Sequence, residues 1–195
     1  GVPLGVVVFA GRPLAIARET RLADALLYAW HPGSEGGYAL ADLLFGLEQP
    51  SARLPITFPR RTGQVPIWYA QKPSGRSVGS TEEYPSRYND LPNTPLFPFG
   101  YGLGYSTFAY SNLTISEPHM FGENQVSVEI TNQGSLPGIE TPQLYLRDLH
   151  ASVTRPVKEL KGFQRVELQP GETRRVHFTL SATDLVFTSH NDLAR

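Results

Sequence analysis

The sequence predicts two layers of different kinds in one chain, an α/β layer first and an all-β sandwich after it. Two continuous apolar runs, Leu4-Gly-Val-Val-Val-Phe9 and Asp24-Ala-Leu-Leu-Tyr-Ala-Trp30, have the composition of parallel strands covered on both faces. After about residue 104, short segments alternate apolar and polar between turn residues, the period of a sheet with one buried face. Between the two regimes lies Pro95-Leu-Phe-Pro-Phe-Gly-Tyr-Gly-Leu-Gly-Tyr-Ser-Thr-Phe108, where aromatic residues, prolines and glycines are densest. Pro95 and Pro98 fix φ and withhold donors, and Gly100, Gly102 and Gly104 admit angles closed to other residues. The segment therefore reads as a packed irregular crossing.

Between the two apolar runs, the intervening residues are long enough for a parallel crossover, although Ala15 to Leu27 also reads as one helix. His31-Pro-Gly-Ser-Glu-Gly-Gly37 is a turn, and Tyr38 to Gly46 a helix with Leu40, Leu43 and Leu44 on one face. Ser34 is placed to cap its start and Gly46 to end it. Strand, glycine turn, helix is the order of an α/β layer, and ligands approach such layers at the carboxyl ends of strands. Residues 31–37 are therefore near a candidate site. Arg53 to Pro59 and Gln64 to Tyr69 are strand-like but broken by proline, which leaves edge strands or extended crossings. Ala70 to Asn93 is a long polar loop, of the length that is functional or slack.

In the second half, Phe108–Ser116, Gln125–Thr131, Gln143–Arg147, Val157–Leu168 and Thr173–Leu180 are strand candidates. Val126, Val128 and Ile130 point to one face and Ser127 and Glu129 to the other. Turns fall at Asn132-Gln-Gly134, Leu136-Pro-Gly138 and Gln169-Pro-Gly171. This is the pattern of an immunoglobulin-like or fibronectin-like sandwich, for which about seven strands are expected. Five or six are visible, so a last strand or two is expected to be missing.

At 195 residues and 40% hydrophobic, the chain can bury a core. Its net charge of -1 argues against nucleic acid as a partner, and no apolar run reaches the roughly 18 residues of a spanning helix. The absence of cysteine removes disulfides, thiol nucleophiles and thiolate metal sites. The sequence opens on Gly1 almost directly into a strand pattern, so it reads as a piece of a longer chain.

Its 18 carboxylates could include an acid and nucleophile pair of the kind that cleaves glycosides across about 5 to 10 Å, but no spacing singles one out. Glu35, at a helix start, is the best placed, and the helix dipole explains it equally well as a capping or bracing residue. Glu82 and Glu83 read as a solvated pair. The five histidines lack metal-ligand spacing. Ser34 is no nucleophile elbow, because Pro32 stands where that motif needs glycine. Gly33 to Gly37 lacks the Lys-Ser/Thr ending of a phosphate loop. Trp30, Trp68 and Tyr69 are candidates for stacking on sugar, or ordinary core aromatics. Asn112-Leu-Thr114 has the form of a glycosylation sequon.

In their order and spacing several motifs resemble the C-terminal part of glycoside hydrolase family 3, the β-glucosidases and β-xylosidases. They are Gly11-Arg-Pro13, Ala29-Trp-His-Pro-Gly-Ser-Glu-Gly-Gly37, Asp42-Leu-Leu-Phe-Gly46, Leu54-Pro-Ile-Thr-Phe-Pro59, Gln64-Val-Pro66, Pro95 to Leu103, and Ser152 to Phe163 with Leu168-Gln-Pro-Gly-Glu172. Gly104 departs from the family, which has Ser or Thr there. The resemblance implies three regions: the end of an α/β/α sandwich over residues 1–60, a connecting crossing over 61–103, and a fibronectin type III-like domain over 104–195, truncated at its C-terminus. It implies a retaining β-glycosidase that releases terminal β-D-glucosyl residues from a β-glucoside or oligosaccharide, with β-xylosides as the alternative substrate class. A non-catalytic sugar-binding or structural module is the alternative function.

Neither catalytic carboxylate would lie in this chain. The nucleophile would belong to an N-terminal barrel absent here, and the acid/base glutamate would precede the strand at Leu4. The chain alone is then expected to be inactive, with no metal, no cofactor and no membrane insertion. The segment with Ser74-Gly-Arg76 and Arg87-Tyr88 resembles one near the family's domain interface. Arg76, Arg87 and Tyr88, with Glu35, are the substrate-side candidates, and salt bridges from the arginines to Glu82, Glu83 or Asp90 are their structural explanation. A periplasmic or secreted home is implied, with a cytoplasmic one open, and a homodimer of the whole enzyme is left open.

Overall fold

The computed structural model describes residues 1–73, 86–117 and 122–187. The chain divides into two units, Gly1–Gly102 and Leu103–Arg195. In the first, β1 (Gly5–Val8) and β2 (Ala25–Tyr28) pair in parallel, with Gly5 opposite Ala25 and Val8 opposite Tyr28. The crossover holds only a short helix, α1 (Ala17–Leu22), which ends where Ala23 turns extended. The single-helix reading of Ala15 to Leu27 therefore fails: Asp24 already bonds back to β1, its N–H donating to Leu4 O at 2.9 Å. Its carboxylate also accepts the Leu4 N–H at 2.8 Å. The strands are half-buried rather than covered on both faces, and each has one neighbouring strand among the described residues.

Helix α2 (Gly36–Leu44) follows the glycine turn. Its N-cap is Glu35, one residue later than the expected Ser34, and no side chain bonds the cap. Leu40 and Leu43 are half-buried, but Leu44 has rotated out to 56% exposure. At the other end Gly46, with φ of 75°, closes a Schellman turn: the Leu47 N–H reaches Asp42 O and the Gly46 N–H reaches Leu43 O.

No strand forms over 53–59 or 64–69. Prolines at 55, 59 and 66 deny ladder donors, and what remains is one bridge between Phe58 and Phe97 and a 3-10 turn at Thr62–Gln64. The bridge is part of a longer seam. Phe58 N–H donates to Phe97 O at 2.9 Å, Leu54 N–H to Tyr101 O at 2.8 Å, and Gly100 N–H to Leu54 O at 2.8 Å. The aromatic, proline and glycine segment is thus packed and irregular, hydrogen-bonded along residues 54–58. Gln64, 2% exposed, ties the loop beyond it by accepting from Arg60 N–H at 2.6 Å and donating to Pro92 O at 3.0 Å.

The second unit is a sandwich. One layer is antiparallel in the order β3 (Phe108–Ile115), β4 (Asn124–Asn132), β9 (Thr173–Leu180). The other consists of β5 (Gly138–Glu140) with β8 (Val166–Leu168) and β6 (Gln143–Leu146) with β7 (Glu159–Phe163). Two differences from the sequence reading have clear causes. Gly138 opens a strand instead of ending a turn, because a side chain there would strike Phe108 Cζ at 2.6 Å, so only glycine lets the layers close. The single strand expected over Val157–Leu168 breaks at Gln164 and Arg165, whose polar side chains separate two short apolar runs. Beyond β9, Ala182–Leu185 is a 3-10 turn held by a reciprocal Ser181–Asp184 capping box.

Val126, Ile130, Val166, Leu168, Val176, Phe178 and Leu180 form the core, with Phe108, Val128 and Leu144 against it. Ser127 lies on the outer face as expected but is only 6% exposed. Thr114 Oγ1 is 2.7 Å from its hydroxyl and the Arg175 Nε–H donates to it at 3.1 Å, so a polar ladder shields that face.

Asn132, with no exposed surface, joins the turns. Its amide donates to Leu136 O at 2.8 Å and Leu168 O at 3.0 Å, and its Oδ1 accepts the Gly134 N–H at 2.9 Å. Replacing Asn132 by Ala leaves two carbonyls and one amide without partners, and the expected loss is about 2–4 kcal/mol in denaturant unfolding. An exposed control, Gln125→Ala, is expected to stay within about 0.5 kcal/mol.

Candidate functional site

The carboxyl ends of β1 and β2 release two loops, residues 9–16 and 29–35, and these meet. Gly11 sits under the His31 ring so closely that an added Cβ would lie 2.3 Å from His31 Nε2. The Tyr28 hydroxyl donates to Arg12 O at 2.5 Å, holding the first loop to the second strand. Burial pushes the Tyr28 phenol above its ordinary value, against a smaller lowering pull from the Arg12 guanidinium.

Trp30 turns the corner with φ of 53°, a left-handed conformation costly for a bulky residue. Aromatic packing holds it: the Tyr28 and Trp30 rings are 4.9 Å apart, and Trp30 and Phe58 5.8 Å, both edge to face. Trp30 is therefore a structural aromatic, as is Tyr69, which stacks on Phe99 at 4.1 Å. Trp68 is the exception at 68% exposure. The turn then closes on itself, since a Cβ on Gly36 would strike Pro32 Cγ at 2.5 Å.

Glu35 is exposed at the start of α2, beside the positive end of the helix. Arg87 and Tyr88 are exposed on a different segment. The base of that segment is fixed by Asn93, which accepts the Tyr88 N–H at 3.1 Å and donates to Ser86 O at 2.8 Å. Arg60 adds a bond from Nε to Thr94 O at 2.8 Å. Asp90, expected as a partner for Arg76 or Arg87, pairs instead with Arg61 at 3.2 Å. Arg76, Glu82 and Glu83 lie outside the described residues. Among the described residues no hydrogen bond or ion pair joins Glu35 to Arg87 or Tyr88, and no group of acidic and histidine side chains is arranged to hold a metal.

The described residues thus present an exposed acid at the start of α2 and, on a separate segment, an exposed arginine and tyrosine. Sequence reasoning did not find the Gly11–His31 contact, because the two residues come from separate loops. The glycine directly after an apolar run was the available signal.

The model for the glycosyl hydrolase family 3 C-terminal domain matches residues 1–105, more than half of the chain. The chain belongs to that family. A fibronectin type III-like model matches residues 140–193 of the family 3 chain. The periplasmic β-glucosidase of Salmonella typhimurium is 48% identical over 191 residues, 96% of this chain and 25% of the relative. A β-xylosidase of Formosa agariphila is 41% identical over 95% of the chain, again covering 25% of the relative. The crystal structure of a β-glucosidase from Listeria innocua in complex with glucose superposes with a TM-score of 0.94 at 40% identity, over all of this chain and 28% of that one. The family 3 chain thus spans about a quarter of the length of the curated relatives it matches.

Two outcomes test the loop geometry. Gly102→Ala would set a Cβ 2.7 Å from the Ala52 carbonyl, a backbone atom that cannot swing aside, and is expected to cost about 1–3 kcal/mol in thermal unfolding. Gly11→Ala meets only the exposed His31 ring, so stability stays within about 1 kcal/mol while the His31 ring resonances move. The Tyr28 bond also has a pH signature. The folded phenol titrates above its unfolded value of 10.0, so its contribution is whole below that pH and lost as pH rises through the folded value. Tyr28→Phe is expected to remove this alkaline loss from the pH dependence of unfolding.

Proposed function

We propose that this chain is the C-terminal part of a retaining β-glycosidase, a β-glucosidase in the first instance, acting on terminal non-reducing β-D-glucosyl residues. The observation that carries this is the 48% identity with a periplasmic β-glucosidase across nearly the whole chain. The same relative supports a periplasmic or secreted setting, and no helix among the described residues is long and apolar enough to cross a membrane. The likeness to a β-xylosidase keeps β-xylosides as the second substrate class.

Retention requires two carboxyl groups about 5–5.5 Å apart, one as nucleophile and one as acid/base. We assign both groups to other parts of the polypeptide, the nucleophile to a barrel domain. This chain supplies support and one side of the cleft. Glu35, Arg76, Arg87 and Tyr88 are the residues proposed to face the sugar or its aglycone, Glu35 from a carboxyl-end loop of the kind where α/β layers meet ligands and the other three from the polar segment 70–93. Arginine and tyrosine on a pinned base suit hydrogen bonding to hydroxyls, since their backbone is held before the sugar arrives.

One observation favours a second reading, a sugar-binding module without catalysis. Trp68 is 68% exposed, and an exposed indole is a surface on which a sugar ring can stack.

The native product, detected in a denaturing gel with an antibody to this chain, is expected well above 21.5 kDa and to hydrolyse an aryl β-glucoside. In that enzyme Arg87→Ala and Tyr88→Phe are expected to raise KM about tenfold with kcat little changed, the mark of binding contacts common to ground and transition states. A product of the chain's own mass that binds cello-oligosaccharides, read by Trp fluorescence, would replace the catalytic reading with the module.

A further inference from the structure

The arm that carries Arg87 and Tyr88 has no ladder of its own. Over residues 86–94 the chain forms neither helix nor strand, and every residue but Leu91 is exposed. Side chains hold it. Asn93 brackets the arm from within, accepting the Tyr88 N–H at 3.1 Å and donating to Ser86 O at 2.8 Å. Outward, the arm is tied to residues 60–64: Arg60 Nε–H donates to Thr94 O at 2.8 Å, Arg61 pairs with Asp90 at 3.2 Å, and the Gln64 amide donates to Pro92 O at 3.0 Å.

These ties are unequal. The Arg61 and Asp90 side chains are 69% and 62% exposed, and such a pair contributes little against salt screening and side-chain entropy. Arg60 meets Thr94 in an exposed setting as well. Gln64 is only 2% exposed, at the end of a 3-10 turn closed by its own N–H to Arg61 O at 3.0 Å. Its oxygen accepts the Arg60 N–H at 2.6 Å while its nitrogen reaches Pro92. One buried amide thus joins the outgoing chain at residue 60 to the returning chain at residue 92. Away from water such bonds keep their strength, and they need an acceptor and a donor at the end of one side chain. The turn in turn leads back to Phe58, whose N–H donates to Phe97 O and whose carbonyl accepts the Leu96 N–H, both at 2.9 Å.

We propose that Gln64 is a positioning residue for substrate binding: through Pro92 and the Asn93 bracket it sets where Arg87 and Tyr88 meet the sugar. The inference rests on the reading of Arg87 and Tyr88 as substrate-side residues. An arm fixed beforehand does not have to be ordered when the sugar arrives, so loss of the clamp weakens binding. The chemical step is left alone, because the carboxyl pair belongs to other parts of the polypeptide, and the effect therefore falls on KM and not on kcat.

The test is Gln64→Glu in the full-length enzyme, assayed on an aryl β-glucoside at pH 5 and pH 8 beside the parent. Ionised, the new carboxylate still accepts the Arg60 N–H but sets a lone pair against the Pro92 carbonyl; protonated, it donates there again. Burial favours the protonated form. Of the charged groups nearby, Arg60 and Arg61 favour the ionised form and Asp90 the neutral one, but Arg60 is engaged by Thr94 and the other two by each other. The expected result is a KM about tenfold above the parent at pH 8 that returns to within about twofold at pH 5, with kcat little changed. An unchanged KM, a KM ratio independent of pH, or a loss confined to thermal stability would each overturn the inference, since a merely structural glutamine gives no recovery of binding with a proton. Asn93→Asp, at an exposed position, covers the case in which Gln64→Glu fails to fold. It keeps the acceptor for the Tyr88 N–H and loses the donor to Ser86 O, so KM is expected to rise about threefold at both pH values; an unchanged KM there counts against the clamp. Arg87→Ala, measured alongside, tells the two failures apart. If it leaves KM unchanged, the substrate-side reading falls and the inference with it; if it raises KM while Gln64→Glu does not, the clamp alone is overturned.

Discussion

Phe58 is the constraint on which the first unit depends. It is 1% exposed, its N–H and carbonyl both bond to the aromatic segment at residues 96–97, and its ring lies edge to face with Tyr28, Trp30 and Phe97 at 4.8 to 6.4 Å. One residue thereby joins the end of β2, the proline-rich crossing and the glycine-rich segment. Trp30 can hold its left-handed angle only because this cluster surrounds it, and His31 reaches Gly11 only because Trp30 turns there. The placement of the carboxyl-end loops is thus decided by a phenylalanine remote in sequence from both. Aromatic contacts of this kind add about 0.5–1.5 kcal/mol each beyond area burial, enough together to offset a strained backbone angle.

The second unit is organised by a polar residue instead. Asn132 satisfies the carbonyls of Leu136 in the turn before β5 and of Leu168 at the end of β8 while its own backbone bonds Glu172 and Gly171. Its burial without exposed surface is tolerable because its amide and its carbonyl oxygen are both engaged, whereas a half-satisfied amide there would cost more than an apolar residue. Nearby, Glu172 accepts the Gln169 N–H and pairs with Arg174, and both hold its carboxyl below the ordinary range. The turn predicted at Gln169-Pro-Gly171 is therefore closed by a charged cap.

Much of this was legible in the sequence where one physical signal dominated. The two apolar runs gave β1 and β2, the period of two gave β3, β4 and β9, and Gly46 marked the end of α2. The signals that failed were those in which neighbours outvote local preference. Gly138 looked like a turn residue and is a strand residue, since its reason for being glycine is Phe108 in the facing layer. Ser127 has an outward position and an interior's exposure because Arg175, distant in sequence, lies over it. The prolines at 55, 59 and 66 left edge strands or extended crossings open, and the structure takes the crossings, with a single bridge at Phe58. At the candidate site, Glu35 was placed correctly at a helix start, but the contact of Gly11 with His31 depends on two loops whose meeting no local pattern records.

The bulge in β3 has a bearing on how the molecule avoids its own kind. Asn112 adopts φ of 51° and its amide donates to Glu129 of β4 at 2.7 Å, so the strand is kinked and held to its neighbour at the bulge. A straight apolar edge invites another strand to lengthen the sheet indefinitely, as in fibrils, and a bulge with a side chain in the left-handed region spoils that template. The face of β3 remains greasy while its rim is blunted. A second copy that approaches this edge therefore finds an interrupted row of donors and acceptors, and growth of the sheet from molecule to molecule is discouraged at its first step.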